Sequence, residues 1–388
     1  MKAVMVVKCE KIFEVIDSLN DEYIGLWADA CSIESPTDFK EGVDKCGEIF
    51  IKKAKALGFD IDIYKEEVSG NAVCITMNND SALPPVIFSG HLDTVHPIGS
   101  FGNPPVSLDD EYIYGPGAND CKGGIVAALL AMDALSKYGF KDRPIKLLLQ
   151  SDEENGSRFC DKRTVQYMCE KSKGAAAFLN CEGYGPHHVV IERKGILKYS
   201  FEVTGRAAHA SVCYNGVSAI AEAARKISEL EKLKNPDGLT CNCGLISGGT
   251  AENSVPEKCT FTADIRFKTV DEMEEAKRLV EKIASTAFIE GSTCKATLVS
   301  YRTPMEKRER NYALLDKVNE IFKENNIPTV CTFFGNGGSD AADLSQFGVP
   351  TIDGLGTEGK FIHSINERGL LSSLARAAKR LAAIAYCI

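Results

Sequence analysis

The sequence predicts an α/β fold in which a mostly parallel sheet, flanked by helices, is interrupted by an inserted α+β domain. Two observations support this prediction. Strand, helix and strand patterns follow one another at residues 86–88, 123–137 and 145–149, and this order gives parallel strands joined by a crossover helix. From Gly195 onward, apolar and polar residues alternate, which is typical of strands with one solvent-exposed face and hence of an antiparallel sheet.

The other elements follow from the spacing of apolar residues. The helix at residues 123–137 has one apolar face, and the strand at residues 145–149 is almost wholly apolar, as in a sheet covered on both faces. A Gly- and Pro-rich loop at residues 97–117 is long enough to be functional or mobile. The same criteria predict helices at residues 9–30, 42–57 and 313–324 and at the C-terminus, and strands at residues 60–64, 72–77, 175–179, 329–332 and 350–352.

The insertion has a pattern of its own, with the order β-α-β-β-α-β of a ferredoxin-like sandwich. Its strands are predicted near residues 197–203, 241–246, 259–267 and 296–299, and its helices near residues 217–233 and 271–287. We therefore expect a first domain in two parts, at residues 1–194 and 305–388, with the inserted domain at residues 195–304.

Composition and charge exclude several classes of protein. A chain with 44% hydrophobic and 26% charged residues is typical of soluble globular domains, and a net charge of -9 argues against nucleic acid or an anionic membrane as the main partner. No apolar run approaches the roughly 20 residues that span a bilayer, and the run at residues 3–7 is too short for a secretion signal. The 15 cysteines show no paired CxxC pattern. We expect buried thiols in the reducing cytoplasm, without a disulfide framework or a structural zinc site.

A histidine and an aspartate form the first candidate site. His91 and Asp93 follow the apolar strand at residues 86–88, and residues two apart on an extended backbone point to the same side. The pair suits a metal ligand with a supporting carboxylate. A polar pair that only closes a turn would have the same pattern.

Further acids and a second histidine occupy similar positions. Asp120 directly precedes the helix at residues 123–137, where an acid also serves as a helix cap. Glu153 and Glu154 follow the strand at residues 145–149, where acids also form solvated loops. The candidate ligands at the ends of elements are His91, Asp120, Glu154, Glu182 and His363.

Such a set of side chains favours bound cations. The crevice at the carboxyl ends of parallel strands is where open α/β sheets bind ligands. Two imidazoles and three carboxylates there suit borderline divalent metals such as zinc. Two ions about 3.5–4 Å apart that share a carboxylate would activate a water between them. Glu153 is adjacent to a ligand yet surplus, which suits a general base.

Six motifs, taken in order, resemble one enzyme family. They are Ser-Gly-His-Leu-Asp-Thr-Val (89–95), Gly-Pro-Gly-x-x-Asp-x-Lys-Gly-Gly (115–124), Asp-Glu-Glu-x-Gly-Ser (152–157), Asn-Cys-Glu (180–182), Gly-Arg-x-x-His-Ala-Ser (205–211) and the late His363. Their order and spacing are similar to those of the co-catalytic zinc amidohydrolases and peptidases. That family includes glutamate carboxypeptidase, acetylornithine deacetylase, succinyl-diaminopimelate desuccinylase, aminoacylase and peptidase T. The resemblance runs from about residue 10 to the C-terminus.

The resemblance implies a zinc-exopeptidase-like fold that binds two divalent ions, zinc or else cobalt or manganese. Asp93 would orient the His91 ring, and Glu153 would deprotonate the water that bridges the ions. Cys121 replaces a methionine common in the family; we interpret it as an apolar packing residue, with a stray metal ligand as the alternative. The implied ligands are His91 and Glu182 for one ion, Glu154 and His363 for the other, and Asp120 between them.

For the inserted domain, the resemblance implies a lid that also forms a homodimer. His209, by sequence alone a loop histidine, would polarise the scissile carbonyl in the active site of the neighbouring subunit. Asn253 and Arg266 resemble groups that hold the substrate; without the resemblance, a surface salt bridge would be an equal role for Arg266. Gly337 and Gly338 lie in a run that lacks the ending of a phosphate loop. We interpret them as a backbone cradle for the substrate carboxylate.

Together these features predict a hydrolase that releases a C-terminal amino acid from a small peptide. The connection at residues 97–117 is most similar to that of the glutamate carboxypeptidase branch, and Glu182 stands where the tripeptidase branch has aspartate. A deacylase of N-acyl amino acids, or a di- or tripeptidase, is the alternative. A non-catalytic binding protein would have lost Glu153 or a ligand, and neither is lost. A protein with merely solvated acids would bind no metal.

Overall fold

The computed structural model describes residues 8–183 and 185–388, so the apolar run at residues 3–7 lies outside its scope. The chain forms two compact units. The larger unit comprises Met1–Ile191, Lys307–Phe334 and Ser339–Ile388, and the smaller unit comprises Glu192–Glu306 and Gly335–Gly338.

Both units contain helices and strands. The helices are α1 (Glu10–Cys31), α2 (Lys40–Ala56), α3 (Lys122–Tyr138), α4 (Arg163–Lys171), α5 (Ala219–Leu230), α6 (Val270–Ser285), α7 (Glu309–Glu324), α8 (Ala341–Gln346) and α9 (Ser373–Cys387). The strands are β1 (Asp60–Tyr64), β2 (Ala72–Met77), β3 (Val86–His91), β4 (Ser107–Leu108), β5 (Tyr112–Tyr114), β6 (Ile145–Gln150), β7 (Ala177–Asn180), β8 (His188–Arg193), β9 (Gly195–Thr204), β10 (Thr240–Gly248), β11 (Lys258–Phe267), β12 (Thr293–Arg302), β13 (Cys331–Gly335), β14 (Thr351–Asp353), β15 (Gly359–Lys360) and β16 (Arg368–Leu370). Among the described helices, none is both long and apolar enough to cross a membrane.

The main sheet has the strand order β1-β2-β6-β3-β7-β14-β8-β13. Its central strands β6, β3, β7 and β14 run parallel, whereas the pairs β1–β2, β2–β6 and β14–β8 are antiparallel. On one face, Ile87 and Leu148 pack in a cluster with residues of α4 and α8. On the other face, Gly90 lies against Ile125 of α3. The predicted α/β class with a mostly parallel, covered sheet is therefore confirmed.

The helix α3 is buried more completely than the sequence predicts. We expected one apolar face, but every residue from Lys122 to Leu135 is buried. The reason is that α3 contacts β3 and also the helices α1 and α9. A helix packed on several sides needs small residues as well as apolar ones. Gly124 provides the closest approach, because a Cβ there would stand 1.8 Å from the main-chain oxygen of Cys181.

The predicted loop at residues 97–117 is partly regular. It contains β4 and β5, which join β15 and β16 in a small sheet of order β15-β16-β5-β4. These strands are two or three residues long, too short for a periodic pattern to reveal. Within this sheet, the guanidinium of Arg368 in β16 stacks over the ring of Tyr112 in β5, 4.8 Å from its centre.

The smaller unit has the predicted β-α-β-β-α-β order, and its antiparallel sheet runs β10-β11-β9-β12. Phe201 of β9 stacks on its register partner Phe261 of β11, with ring centres 4.4 Å apart. A capping box between Thr269 and Glu272 starts α6. Inward residues of the sheet and of both helices form one core.

One stretch lies in a different unit from the one we expected. The sequence placed Gly335–Gly338 with residues 305–388, but the chain there belongs to the smaller unit. Main-chain oxygens of this stretch hold that unit together. Gly335 accepts from the Lys194 N–H (3.0 Å), and Gly337 accepts from the Arg193 guanidinium (3.1 Å).

Candidate metal centre

The parallel strands bring the candidate ligands to one edge of the sheet. His91 is the last residue of β3, Glu154 follows β6, and Glu182 follows β7. Because these three strands are parallel neighbours, their carboxyl ends meet. Asp120 lies two residues before the start of α3, and His363 lies in the loop between β15 and β16.

Asp120 stands at the centre of the cluster. Its Oδ1 lies 3.0 Å from His91 Nε2, and its Oδ2 lies 3.1 Å from His363 Nε2. On the outer sides, Glu182 Oε1 is 3.7 Å from His91 Nε2, and Glu154 Oε2 is 3.2 Å from His363 Nε2. The structure thus gathers all five predicted ligands, with one carboxylate between two histidine–glutamate pairs.

The electrostatics of the cluster fit divalent cations. Burial, reinforced by the charge of Asp120, raises the pKa of Glu154 to about 8 and that of Glu182 well above its usual range. Hydrogen bonds to Asp120 and Glu154 raise the pKa of His363 to about 10. In the metal-free fold these groups therefore bind protons more tightly than in the unfolded chain. Metal ligands must release such protons, so a bound cation would replace them.

Asp93 supports the cluster from behind. Its carboxylate accepts hydrogen bonds from the Thr37 hydroxyl (2.7 Å) and from the main-chain N–H groups of Glu153 and Glu154 (3.1 Å each). Burial disfavours its charge, but the hydrogen bonds of His91 and Thr37 outweigh burial and lower the pKa of Asp93. Asp93 therefore connects the loop after β3 to the loop after β6.

Cys121 lies closer to the ligands than a packing residue needs to. It is fully buried, and its Sγ accepts the His91 main-chain N–H at 3.0 Å. It also forms a group with His91 and Glu182 in which candidate ligand atoms all lie within 4.8 Å of one another. Burial raises the pKa of the Cys121 thiol well above its usual range, which keeps it neutral.

Glu153 is buried beside the cluster, with 7% of its surface exposed. Its charge contributes to the raised pKa of both Glu154 and Glu182. Its main-chain N–H is held by Asp93, as described above. These contacts place a further carboxylate next to the ligands.

The remaining predicted residues lie in the smaller unit, in two groups. His209 and Asn253 are exposed neighbours, since the Asn253 main-chain oxygen accepts from the N–H of Ala210 at 2.9 Å. The Nδ1 atom of His209 is hydrogen-bonded to the Ser211 hydroxyl at 2.8 Å. The second group combines Arg266 with the stretch that contains Gly337 and Gly338.

Arg266 is already paired on its own strand. Its Nε and Nη2 donate to the carboxylate of Asp264 at 2.5 and 3.0 Å, and its Nη1 donates to the Asn336 main-chain oxygen at 3.3 Å. Gly338 has a steric role, because a Cβ there would stand 3.0 Å from the Arg302 side chain.

Three polar residues around the cluster were not predicted from the sequence. Thr37 holds Asp93, and the buried pair His96 and Glu367 contacts the segment that carries Asp120. Glu367 could have been suspected, since it follows His363 by four residues. Thr37 and His96 have no comparable signal in the sequence.

The comparisons with known proteins agree with this arrangement. The sequence model of peptidase family M20/M25/M40 matches residues 87–386. Carboxypeptidase G2 of Pseudomonas sp. (strain RS-16) is 28% identical over 343 residues, covering 86% of this chain and 81% of that protein. Succinyl-diaminopimelate desuccinylase 2 of Shewanella loihica is 25% identical over 355 residues, with 85% and 91% covered.

Solved structures have the same fold. A tripeptidase from Staphylococcus aureus superposes with a TM-score of 0.77 at 23% identity, covering 94% of this chain and 97% of that one. The family match extends over well more than half of the chain and includes every residue of the cluster. The chain is therefore a hydrolase that belongs to peptidase family M20/M25/M40.

Proposed function

We propose that this protein is a two-metal carboxypeptidase of the glutamate carboxypeptidase type, which releases a C-terminal amino acid from a small peptide. The observation that carries the proposal is the position of Asp120 between His91 and His363, each at about hydrogen-bond distance from a different oxygen. A carboxylate in this position is suited to bridge two ions, as in two-metal hydrolases.

The donor set suits zinc, with cobalt or manganese as substitutes. Bound divalent ions would neutralise the buried carboxylates, polarise the scissile carbonyl and lower the pKa of water. His91 and Glu182 would hold one ion, Glu154 and His363 the other, and Asp120 both.

Glu153 is proposed as the general base. It is a buried carboxylate beside the cluster, outside the ligand set, and its loop is fixed by Asp93. In this role its carboxylate takes a proton from the attacking water and then gives it to the leaving amine. The amide bond breaks as that amine is protonated, so that one water is consumed for each amino acid released.

The smaller unit is proposed to act as a lid and to form a homodimer. His209, exposed on its surface, would donate a hydrogen bond to the developing oxyanion in the neighbouring subunit. Asn253 and Arg266, with the backbone of Gly337 and Gly338, would hold the free carboxylate of the substrate. The contact between Arg266 and Asn336 supports a shared role of the strand and the glycine stretch. We place the enzyme in the cytoplasm.

A deacylase of N-acyl amino acids is the second candidate. The similarity to a succinyl-diaminopimelate desuccinylase favours it, as the similarity to carboxypeptidase G2 favours the carboxypeptidase. Both reactions use the same attack on an amide, so they differ only in the group on the acyl side.

The test is a panel of substrates assayed with the zinc-loaded protein. It contains dipeptides and tripeptides with free or amidated C-termini, and N-acetyl and N-succinyl amino acids. We expect release of the C-terminal residue from peptides and loss of activity when the C-terminus is amidated. Activity confined to acyl substrates would overturn the carboxypeptidase proposal, and release of the N-terminal residue would identify an aminopeptidase. A protein that binds no metal would overturn both candidates.

A further inference from the structure

We propose that Glu367, held by His96, is a positioning residue that fastens the Asp120 segment to the His363 loop, so that the metal site is formed before the ions bind. The inference rests on the proposed two-metal function. Neither residue belongs to the ligand set, and both lie in the larger unit.

The Glu367 carboxylate holds the backbone of the central ligand. Its Oε1 accepts hydrogen bonds from the main-chain N–H groups of Asn119 and Asp120, at 2.9 and 3.0 Å. Two donors on one carboxylate oxygen fix the direction of this short segment, which ends where α3 begins. Hydrogen bonds to an ionised acceptor are the stronger kind.

The other oxygen of Glu367 is fixed by His96. His96 Nε2 lies 2.8 Å from Glu367 Oε2. Both side chains are buried, with 6% of His96 and 1% of Glu367 exposed. His96 itself packs edge-on against the ring of Phe101, 4.9 Å between centres. It is five residues beyond His91, so the contact also connects the segment after β3.

The main chain of Glu367 closes the loop that carries His363. Its N–H donates to the Ser364 main-chain oxygen at 2.9 Å, and its own oxygen accepts from the Gly115 N–H at 3.3 Å. His363 has a φ of 60°, a left-handed conformation that costs a residue other than glycine energy. The side chain of His363 is also half-exposed. A loop with these features needs contacts from outside it to keep one conformation, and Glu367 provides them.

These contacts indicate more than ordinary core packing. Glu367 connects three segments, each of which carries a proposed ligand: His91, Asp120 or His363. Residues that orient metal ligands in this way usually change metal affinity or activity by about 10- to 100-fold when they are removed. If Glu367 only stabilised the fold, its loss would lower the melting temperature and leave metal affinity unchanged.

The experiment measures zinc binding to the metal-free full-length protein by competition with a chromophoric chelator. Glu367→Ala is expected to lower the affinity for the more weakly bound of the two zinc ions by about 10- to 100-fold. Glu367→Gln keeps an oxygen for the N–H groups of Asn119 and Asp120, and its affinity is expected within about threefold of the wild type.

A second pair of variants keeps the test decisive if Glu367→Ala does not fold. His96→Leu removes the donor to Glu367, whereas His96→Gln supplies an amide N–H in its place. We expect weaker zinc binding for His96→Leu and recovery for His96→Gln.

Glu66→Ala is the matched control. Glu66 is a buried glutamate whose carboxylate is also fully hydrogen-bonded, to Arg163 and to backbone N–H groups. The substitution Glu66→Ala should lower the melting temperature of the metal-free protein without changing its zinc affinity.

The possible outcomes separate the two proposals. Unchanged zinc affinity in Glu367→Ala and His96→Leu, or a loss equal to that of Glu66→Ala, would overturn the positioning role. Absence of zinc binding by the wild-type protein would instead overturn the proposed two-metal function.

Discussion

The Nδ1 atom of His91 lies 2.9 Å from the main-chain oxygen of Asp93 and 3.4 Å from the carboxylate oxygen Oδ1 of the same residue. The ring is therefore oriented by the backbone as well as by the carboxylate. Asp93 has a second function that its position in the sequence does not reveal, because its carboxylate also holds the loop of Glu153 and Glu154.

Asp93→Asn is expected to reduce kcat/KM by about 10- to 100-fold while zinc remains bound. The main-chain oxygen still orients His91, but an amide nitrogen cannot accept the hydrogen bonds of the Glu153 loop. Steady-state kinetics and elemental analysis of the purified variant test this. Loss of zinc together with activity would show that the carboxylate, and not the backbone, fixes His91.

Glu153→Gln is expected to abolish turnover with metal content near that of the wild type, because a glutamine cannot take a proton from water. Asp152→Asn is the control: this neighbouring buried acid accepts from the Cys160 N–H at 2.9 Å, so its activity should stay near wild type. Parallel loss of zinc in Glu153→Gln would identify Glu153 as a ligand.

The metal-free protein should become less stable as the pH rises from about 5 to about 9. Glu154 has an ordinary pKa of 4.5 and a folded pKa of about 8, and His363 has an ordinary pKa of 6.5 and a folded pKa of about 10. Both groups bind protons more tightly in the folded state. The stability that these two groups give the folded state is therefore fully present below their pKa values in the unfolded chain. It is lost as the pH rises through their pKa values in the folded state.

Thermal melting of metal-free and zinc-loaded protein at several pH values checks this expectation. The zinc-loaded protein should lose less stability at high pH, because bound zinc replaces the protons on Glu154 and His363. Zinc affinity should rise with pH for the same reason. A metal-free protein that is more stable at pH 8.5 than at pH 5.5 would contradict the assigned directions.

If His209 acts in the partner's active site, two inactive variants should complement each other. Mixing His209→Ala with Glu153→Gln would create hybrid dimers in which one active site has both an intact base and an intact histidine. Partial recovery of activity is expected, and each variant alone should remain inactive. No recovery despite demonstrated subunit exchange would exclude action across the dimer.

Gly124→Ala should destabilise the fold by about 1–3 kcal/mol. The added Cβ would stand 1.8 Å from the Cys181 main-chain oxygen, and Cys181 directly precedes Glu182. Gly25→Ala is the control, because Gly25 is exposed within α1 and a Cβ there would meet no atom within 4 Å. It should raise stability by up to about 1 kcal/mol. Urea unfolding of both variants provides the comparison.

The parts of the molecule that follow a repeating pattern could be predicted from the sequence. The strands β3, β6 and β7 are short apolar runs, and His91, Glu154 and Glu182 stand at or shortly after their ends. Because the carboxyl ends of neighbouring parallel strands lie at the same edge of a sheet, residues at these ends lie close together. These three ligands could therefore be expected together before their distances were known, whereas Asp120, before α3, and His363, between β15 and β16, follow none of these strands.

Contacts between distant loops could not be predicted in this way. Thr37 lies 56 residues before its partner Asp93, and His96 lies 271 residues before Glu367. No periodicity relates such positions, and each is an ordinary polar residue in its own neighbourhood. The helix α4 was missed for another reason: with 9 residues it is shorter than the stretch of about 11–18 residues over which helical periodicity is recognised.

The assignment of Gly335–Gly338 to the smaller unit limits how that unit can be exchanged between relatives. A fragment of residues 192–306 would contain all of β9 to β12 and both helices, yet the groups of Arg193, Lys194 and Arg266 that donate to Gly337, Gly335 and Asn336 would have lost these acceptors. In a chimaera that takes only this continuous stretch from a relative, the donors and the acceptors of these three hydrogen bonds would come from different proteins. Transfer of the complete smaller unit between family members therefore requires two segments of the gene to be moved together.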